Sequence, residues 1–175
     1  MVDRSMWDAL AALIAYPRTI PTDRLAGCID ARGVDPDVAG ALDRFRAGIA
    51  DMSLTMLQEC YTEAFDFGPD CTLDVGWHLF GESRERGMFL ASLVDDLASA
   101  GVERSTELPD HLTHVLMLIG RADTGRAAAL ATLVEQAVEK IQRALHDRRS
   151  EYAPLLEGIH TALGTVAERG APVRR

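Results

Sequence analysis

The sequence predicts an all-α fold, a single bundle-like helical domain spanning its 175 residues. Apolar residues recur at spacings of three and four almost throughout, the period of a helix that buries one face. No segment alternates apolar and polar residues between hairpin turns, and no internal repeat or low-complexity tract breaks the pattern. Capping residues, prolines and glycines fall where the periodic stretches end.

Each element follows from that pattern. Ser5, with Asp8 three positions on, reads as a capping-box-like start, and Met6, Leu10, Leu13 and Ile14 share a face until Pro17 stops the helix. A shorter helix runs from a Thr22 cap through Leu25 and Ile29 to Gly33, a residue that tolerates the positive φ found after helices. Asp35-Pro36 opens a third, with proline at the first helical position and Val38, Leu42, Phe45 and Ile49 inward. Ser53 opens a fourth, whose Leu54, Leu57, Tyr61, Ala64 and Phe65 precede the breaker Gly68-Pro69. Residues 73–80 form a short fifth helix, which Gly81-Glu82-Ser83 interrupts. Ser83 caps a sixth, and its stripe of Leu90, Leu93, Val94 and Leu97 closes at Gly101. Pro109 restarts a seventh helix carrying Leu112, Val115, Leu116 and Ile119. After a turn at Asp123-Thr124-Gly125, Leu130, Val134, Ala137, Ile141 and Leu145 trace a long eighth. Ser150 caps the ninth, with Pro154 in its first turn and Leu155, Leu156, Ile159, Leu163 and Val166 inward; a frayed tail is expected from Gly170.

Composition narrows the function classes. Asp and Glu number 27 against 18 Lys and Arg, a net charge of −9 that disfavours nucleic acid and anionic membranes and favours a cationic partner. The three cysteines, Cys28, Cys60 and Cys71, have no CxxC spacing and read as reduced thiols. The first residues carry no secretory-signal pattern, and no apolar run approaches the roughly 20 residues that span a bilayer. A soluble, cytoplasmic protein without membrane insertion is expected.

Catalytic chemistry finds little support. His111 and His114 lie three apart on one helical face beside Asp110 and can supply part of a metal site, but no third ligand, such as His78, His146 or a distant carboxylate, falls at recognisable spacing such as HExxH. The reading set against it is a pair of partly exposed, hydrogen-bonding histidines near a helix start. Cys60 and Ser83 lack the surroundings of a nucleophile. Gly81 to Gly87 has neither GxGxxG nor a P-loop lysine, and Lys140 is the only lysine. Glu82, Glu85 and Glu107 read as solvated carboxylates.

Three stretches are over-specified for packing: Tyr61-Thr62-Glu63-Ala64-Phe65-Asp66, Trp77 through Gly87, and Glu107-Leu108-Pro109-Asp110-His111-Leu112. With Leu13-Ile14-Ala15-Tyr16-Pro17 and Arg148-Arg149-Ser150-Glu151-Tyr152-Ala153, in this order and spacing, the chain resembles the nitrate reductase delta-subunit chaperones of the TorD-like family across most of residues 5–165. The resemblance implies an all-α chaperone, not an enzyme, with no cofactor of its own. Such a chaperone binds the apo catalytic subunit of a molybdopterin-dependent oxidoreductase of the dimethyl sulfoxide reductase superfamily, nitrate reductase-like. It assists molybdenum cofactor insertion in the cytoplasm before membrane attachment or export. The bound part is implied to be an N-terminal or twin-arginine segment, and the chaperone a monomer or homodimer. The longer acidic C-terminal extension of the nitrate reductase chaperones does not appear in this sequence. A metal-dependent helical hydrolase built on His111 and His114, and a permanent structural adaptor, are the rival readings.

An amphipathic segment that folds on binding needs a groove between helices. Tyr61, Phe65, Trp77 and Phe80 are candidate groove walls, since aromatic rings offer contact area at little rotamer entropy; core packing is their plain alternative. Glu107, Pro109, Asp110 and His111 lie in the loop that the resemblance implies is the recognition surface, while the acidic pair also suits a helix N-terminus. Arg86 joins the candidate client contacts, with an ion pair to Glu82 one turn earlier as its structural role. Gly87 is read as permitting close helix approach.

Overall fold

A stripe of apolar residues along one side of a helix is stable only against a partner stripe, and the pairing of these stripes sets the architecture. The computed structural model describes residues 4–170. In chain order these form α1 (Arg4–Ile14), α2 (Thr22–Ile29), α3 (Pro36–Gly48), α4 (Leu54–Phe65), α5 (Val75–Phe80), α6 (Arg84–Ser99), α7 (Leu112–Ile119), α8 (Thr124–Asp147) and α9 (Ala153–Gly170), and no strand occurs among them. The 24 residues of α8 make a rod about 36 Å long, and α9 packs along it. Val134, Ile141 and Leu145 of α8 and Leu155, Leu156, Ile159 and Leu163 of α9 are fully buried in that seam. α3 lies on α9, α1 on α7, and α5 between α6 and α8. The all-α expectation holds, with every expected helix present.

Local chemistry explains most boundaries. Asp35 accepts from Asp37 N (2.9 Å) with Pro36 at the first helical position, Ser53 Oγ from Met56 N (3.2 Å), and Ser83 Oγ from Arg86 N (3.3 Å). Gly33 takes φ +81° after α2, and Gly81 takes φ +58° where α5 turns into α6, a conformation that penalises any Cβ. Asp123 Oδ1 accepts from Arg126 N (3.0 Å), so the stretch expected as a turn is a cap followed directly by helix.

Other expectations are corrected. Ser5 lies inside α1, and Asp8 accepts from Arg121 at both carboxylate oxygens (2.5 and 3.1 Å), with Arg4 Nε 3.5 Å away. Thr22 is the first helical residue of α2, with Pro21 at the cap position and no side-chain cap bond. Ser150 Oγ accepts from Tyr152 N (3.3 Å) while its carbonyl accepts from Ala153 N (3.0 Å), a turn that leads into α9. Gly87 has open space where a Cβ would stand, so no close approach depends on it. The close approach falls at Gly120, where a Cβ would stand 2.8 Å from Trp7 Cβ, at the packing of α7 on α1. Gly170 ends α9, and the rest of the expected tail lies outside the described residues.

Candidate functional site

The loops entering α5 and α7 pair with each other. Val75 N donates to Asp110 O (3.0 Å) and Leu112 N to Leu73 O (2.8 Å), an isolated antiparallel bridge between Asp74 and His111. This pairing explains why α7 does not begin at Pro109: the Asp110 carbonyl is spent across the bridge, and Pro109-Asp110 form a turn instead. His111 becomes the N-cap of α7, its Nδ1 accepting from Thr113 N (3.3 Å) and Thr113 Oγ1 (2.8 Å). Burial lowers the His111 pKa to about 4, so the ring is neutral at pH 7 and the proton sits on Nε2.

His114 is equally committed. Its Nδ1 donates to Leu108 O (2.9 Å), and its Nε2 accepts from Ser105 N (3.0 Å) and lies 3.1 Å from Ser105 Oγ. These partners assign the Nδ1–H tautomer and tie down the 105–108 loop. Both histidines are buried rather than partly exposed, so they serve backbone geometry. A metal on the pair would have to break those bonds, and among the described residues no group of three or more His, Cys, Asp or Glu is arranged to hold one. The Ser83 hydroxyl caps α6, and burial pushes the Cys60 thiol up, away from the nucleophilic thiolate.

Beneath the bridge, Arg86 Nε and Nη2 both donate to Asp110 Oδ2 at 3.2 Å, and Nη2 lies 3.5 Å from Asp74 Oδ2. The expected Arg86–Glu82 pair is therefore corrected. A carboxylate with no solvent exposure, Asp110, gains far more from the guanidinium than the exposed Glu82 can. Burial raises the pKa of Asp74 and Asp110, and Arg86 counteracts it. A Cβ at Gly76 would overlap Asp110 Oδ2, so that position needs glycine. The Trp77 ring lies 5.8 Å from the Arg86 guanidinium carbon, and Phe80 packs on Phe89 at 5.4 Å.

On the other side of the bridge lies a cleft of about 560 Å³. The structure brings Tyr61, Phe65, Glu107 and His111 together on its wall, whereas Trp77, Phe80, Arg86, Pro109 and Asp110 do not line it. Its aromatic floor is built from edge-on rings: Tyr61 lies 5.3 Å from Tyr16, 4.9 Å from Phe65 and 5.7 Å from Tyr152. Burial pushes the Tyr61 hydroxyl far up, reinforced by Asp66 and Glu107.

The rest of the wall mixes small, polar and apolar side chains with five carboxylates. Asp8, Asp66, Asp74, Glu103 and Glu107 face the cleft, with Arg18 the only arginine or lysine there. Asp8 and Asp74 are paired with arginines, but among the described residues Asp66, Glu103 and Glu107 form no ion pair. Asp8, Arg18 and Glu103 escaped sequence reasoning. Spacing shows which face of a helix is buried, but not which loops converge from distant parts of the chain. Such a cleft can take a chain that is cationic on one face and apolar on another.

Comparison with known proteins places the chain in a family. The family model described as nitrate reductase delta subunit matches residues 31–157. The chain is 30% identical over 120 residues to the nitrate reductase molybdenum cofactor assembly chaperone NarJ of Escherichia coli K12, covering 68% of this chain and 51% of that protein. It is 31% identical over 121 residues to the probable nitrate reductase molybdenum cofactor assembly chaperone NarJ of Bacillus subtilis 168, covering 69% and 66%. The match thus spans about half the length of the Escherichia coli relative. The matched region holds Tyr61, Phe65, Glu107 and His111, while the α1 side of the cleft lies before it. On these matches, which take in more than half of its length, the chain belongs to the nitrate reductase delta subunit family.

Proposed function

We propose that this chain is a maturation chaperone for the catalytic subunit of a molybdopterin-dependent oxidoreductase, nitrate reductase-like. Its cleft holds a cationic, amphipathic segment near the N-terminus of that subunit until the molybdenum cofactor is in place. The observation that carries this reading is the cleft itself, whose wall holds Tyr16 and three carboxylates that form no ion pair among the described residues. The names of the relatives support the client class. No catalytic residue is required, because the work is done by binding and release.

The physics suits a reversible grip. A segment that orders on binding gives up conformational entropy, which offsets part of the area it buries and keeps affinity moderate. Asp66, Glu103 and Glu107 attract the basic side chains over the roughly 8 Å that physiological salt allows, and the half-exposed Tyr16 ring meets the apolar face, with Tyr61 and Phe65 nearly buried behind it. His114 holds the 105–108 wall in place before any ligand arrives, which lowers the entropy lost on binding. The reading places the chaperone in the cytoplasm; no helix among the described residues is long and apolar enough to cross a membrane.

Co-purification tests the proposal. Recovered catalytic subunit is compared between cells that make molybdenum cofactor and cells that cannot. The chaperone is expected on cofactor-free subunit and depleted from the loaded enzyme. Equal recovery from both would support a permanent adaptor and overturn the chaperone reading.

A further inference from the structure

A second groove, of about 520 Å³, runs along the outer face of α4 and adjoins the cleft. Tyr16 lines both. Its position is fixed, since Gln58 Nε2 of α4 donates to Pro17 O (3.0 Å) and the Tyr16 ring stands edge-on to Tyr61. The ring is nevertheless 50% exposed, and at the far end of the groove Phe67 is 76% exposed, the most exposed large apolar side chain among the described residues. Single exposed apolar residues are ordinary; here two exposed aromatics line one groove whose other walls, Thr55, Gln58, Glu59, Thr62 and Glu63, are polar. Glu59 and Glu63 line the same groove, neither forms an ion pair among the described residues, and no basic residue lines it. Acidic character therefore continues past Tyr16 along Glu59 and Glu63, while at Phe67 the groove borders a depression that Arg148 and Arg149 also line.

We propose that this groove is a second station for the client segment held in the cleft. The chain leaving the cleft passes Tyr16, lies along α4 with basic side chains toward Glu59 and Glu63, and seats an apolar side chain against Phe67. The inference rests on the cleft reading and deepens it: the recognised element is a longer cationic amphipathic stretch than the cleft alone contains. A fixed, half-exposed ring at the junction gives the segment a surface to cross without ordering the protein first. Carboxylates on both sides of the Tyr16 junction disfavour acidic side chains at that point of the path.

The test uses synthetic peptides carrying Lys and Arg on one helical face and Leu and Phe on the other. One has about 12 residues, and two others extend it by about two helical turns at either end. Binding is titrated against the wild-type chain, Phe67→Ser, and Glu59→Gln/Glu63→Gln. Phe67 and these glutamates are surface groups, so folding should survive their substitution. One extended peptide is expected to bind wild type about tenfold more tightly than the short one, and Phe67→Ser should abolish that gain without changing short-peptide affinity. Extended peptides no tighter than the short one, or a Phe67→Ser effect equal on both, would overturn the inference while leaving the cleft reading intact. If no peptide bound wild type at all, the cleft reading would fall and this inference with it.

Discussion

His111 joins two roles in one ring: Nδ1 caps α7, while the neutral imidazole lines the acidic cleft. Its pKa of about 4, against 6.5 for the free side chain, makes fold stability depend on pH. Between those values the unfolded chain binds a proton that the folded chain refuses. The contribution is therefore intact above pH 6.5 and is lost as pH falls toward 4, a loss on the order of 3 kcal/mol. Glu107 pulls against this shift and His114 adds to it. The raised carboxyls of Asp74 and Asp110 act in the opposite sense, regaining stability as they protonate, so the wild-type slope mixes several groups. His111→Asn isolates one of them, because asparagine keeps an N-cap acceptor but does not titrate. Melting temperature should fall less steeply from pH 6.5 to 4 in the variant than in wild type. Parallel curves would show that the ring does not carry the dependence.

At the scale of elements, α5, α6 and α7 meet at one charged junction, with Asp110 from the α7 loop and Asp74 from the α5 entry sharing Arg86 of α6. Asp110→Ala removes the buried partner and leaves a largely enclosed guanidinium with only the longer Asp74 contact. We expect a loss of about 3 kcal/mol in urea unfolding with an unchanged slope; a loss below about 0.5 kcal/mol would mean the junction holds nothing together. This junction also marks where the sequence stops being legible. Asp35, Ser53 and Ser83 announce their helices because a cap bond spans two or three residues. The start of α7 was not readable at Pro109, because it is decided by pairing with residues 73–75, and Arg86 likewise finds a partner 24 residues away rather than four. Period and punctuation encode where helices run, while contacts between loops distant in sequence decide how they begin.

Over the whole molecule, with its net charge of −9, carboxylates that form no ion pair among the described residues are exposed on many helices and loops, Asp23, Asp51, Asp95 and Asp147 among them. Five of them line the two grooves, Asp66, Glu103 and Glu107 in the cleft and Glu59 and Glu63 along α4; Tyr61 and Phe65, candidate walls by their aromatic character, reach the cleft but are nearly buried. The acidic lining was less legible, because Asp8, Asp66 and Glu103 belong to three separate stretches that only the fold brings together. The central claim is that the carboxylates of the cleft help it grip a cationic polypeptide segment. Its most direct test is the affinity of wild type and of Asp66→Asn/Glu103→Gln/Glu107→Gln for the short cationic amphipathic peptide, measured across a salt series. Wild type should bind about tenfold or more tightly at low salt and lose that advantage as salt rises, because exposed charges are screened. Equal affinity and equal salt dependence in the two proteins would contradict the claim.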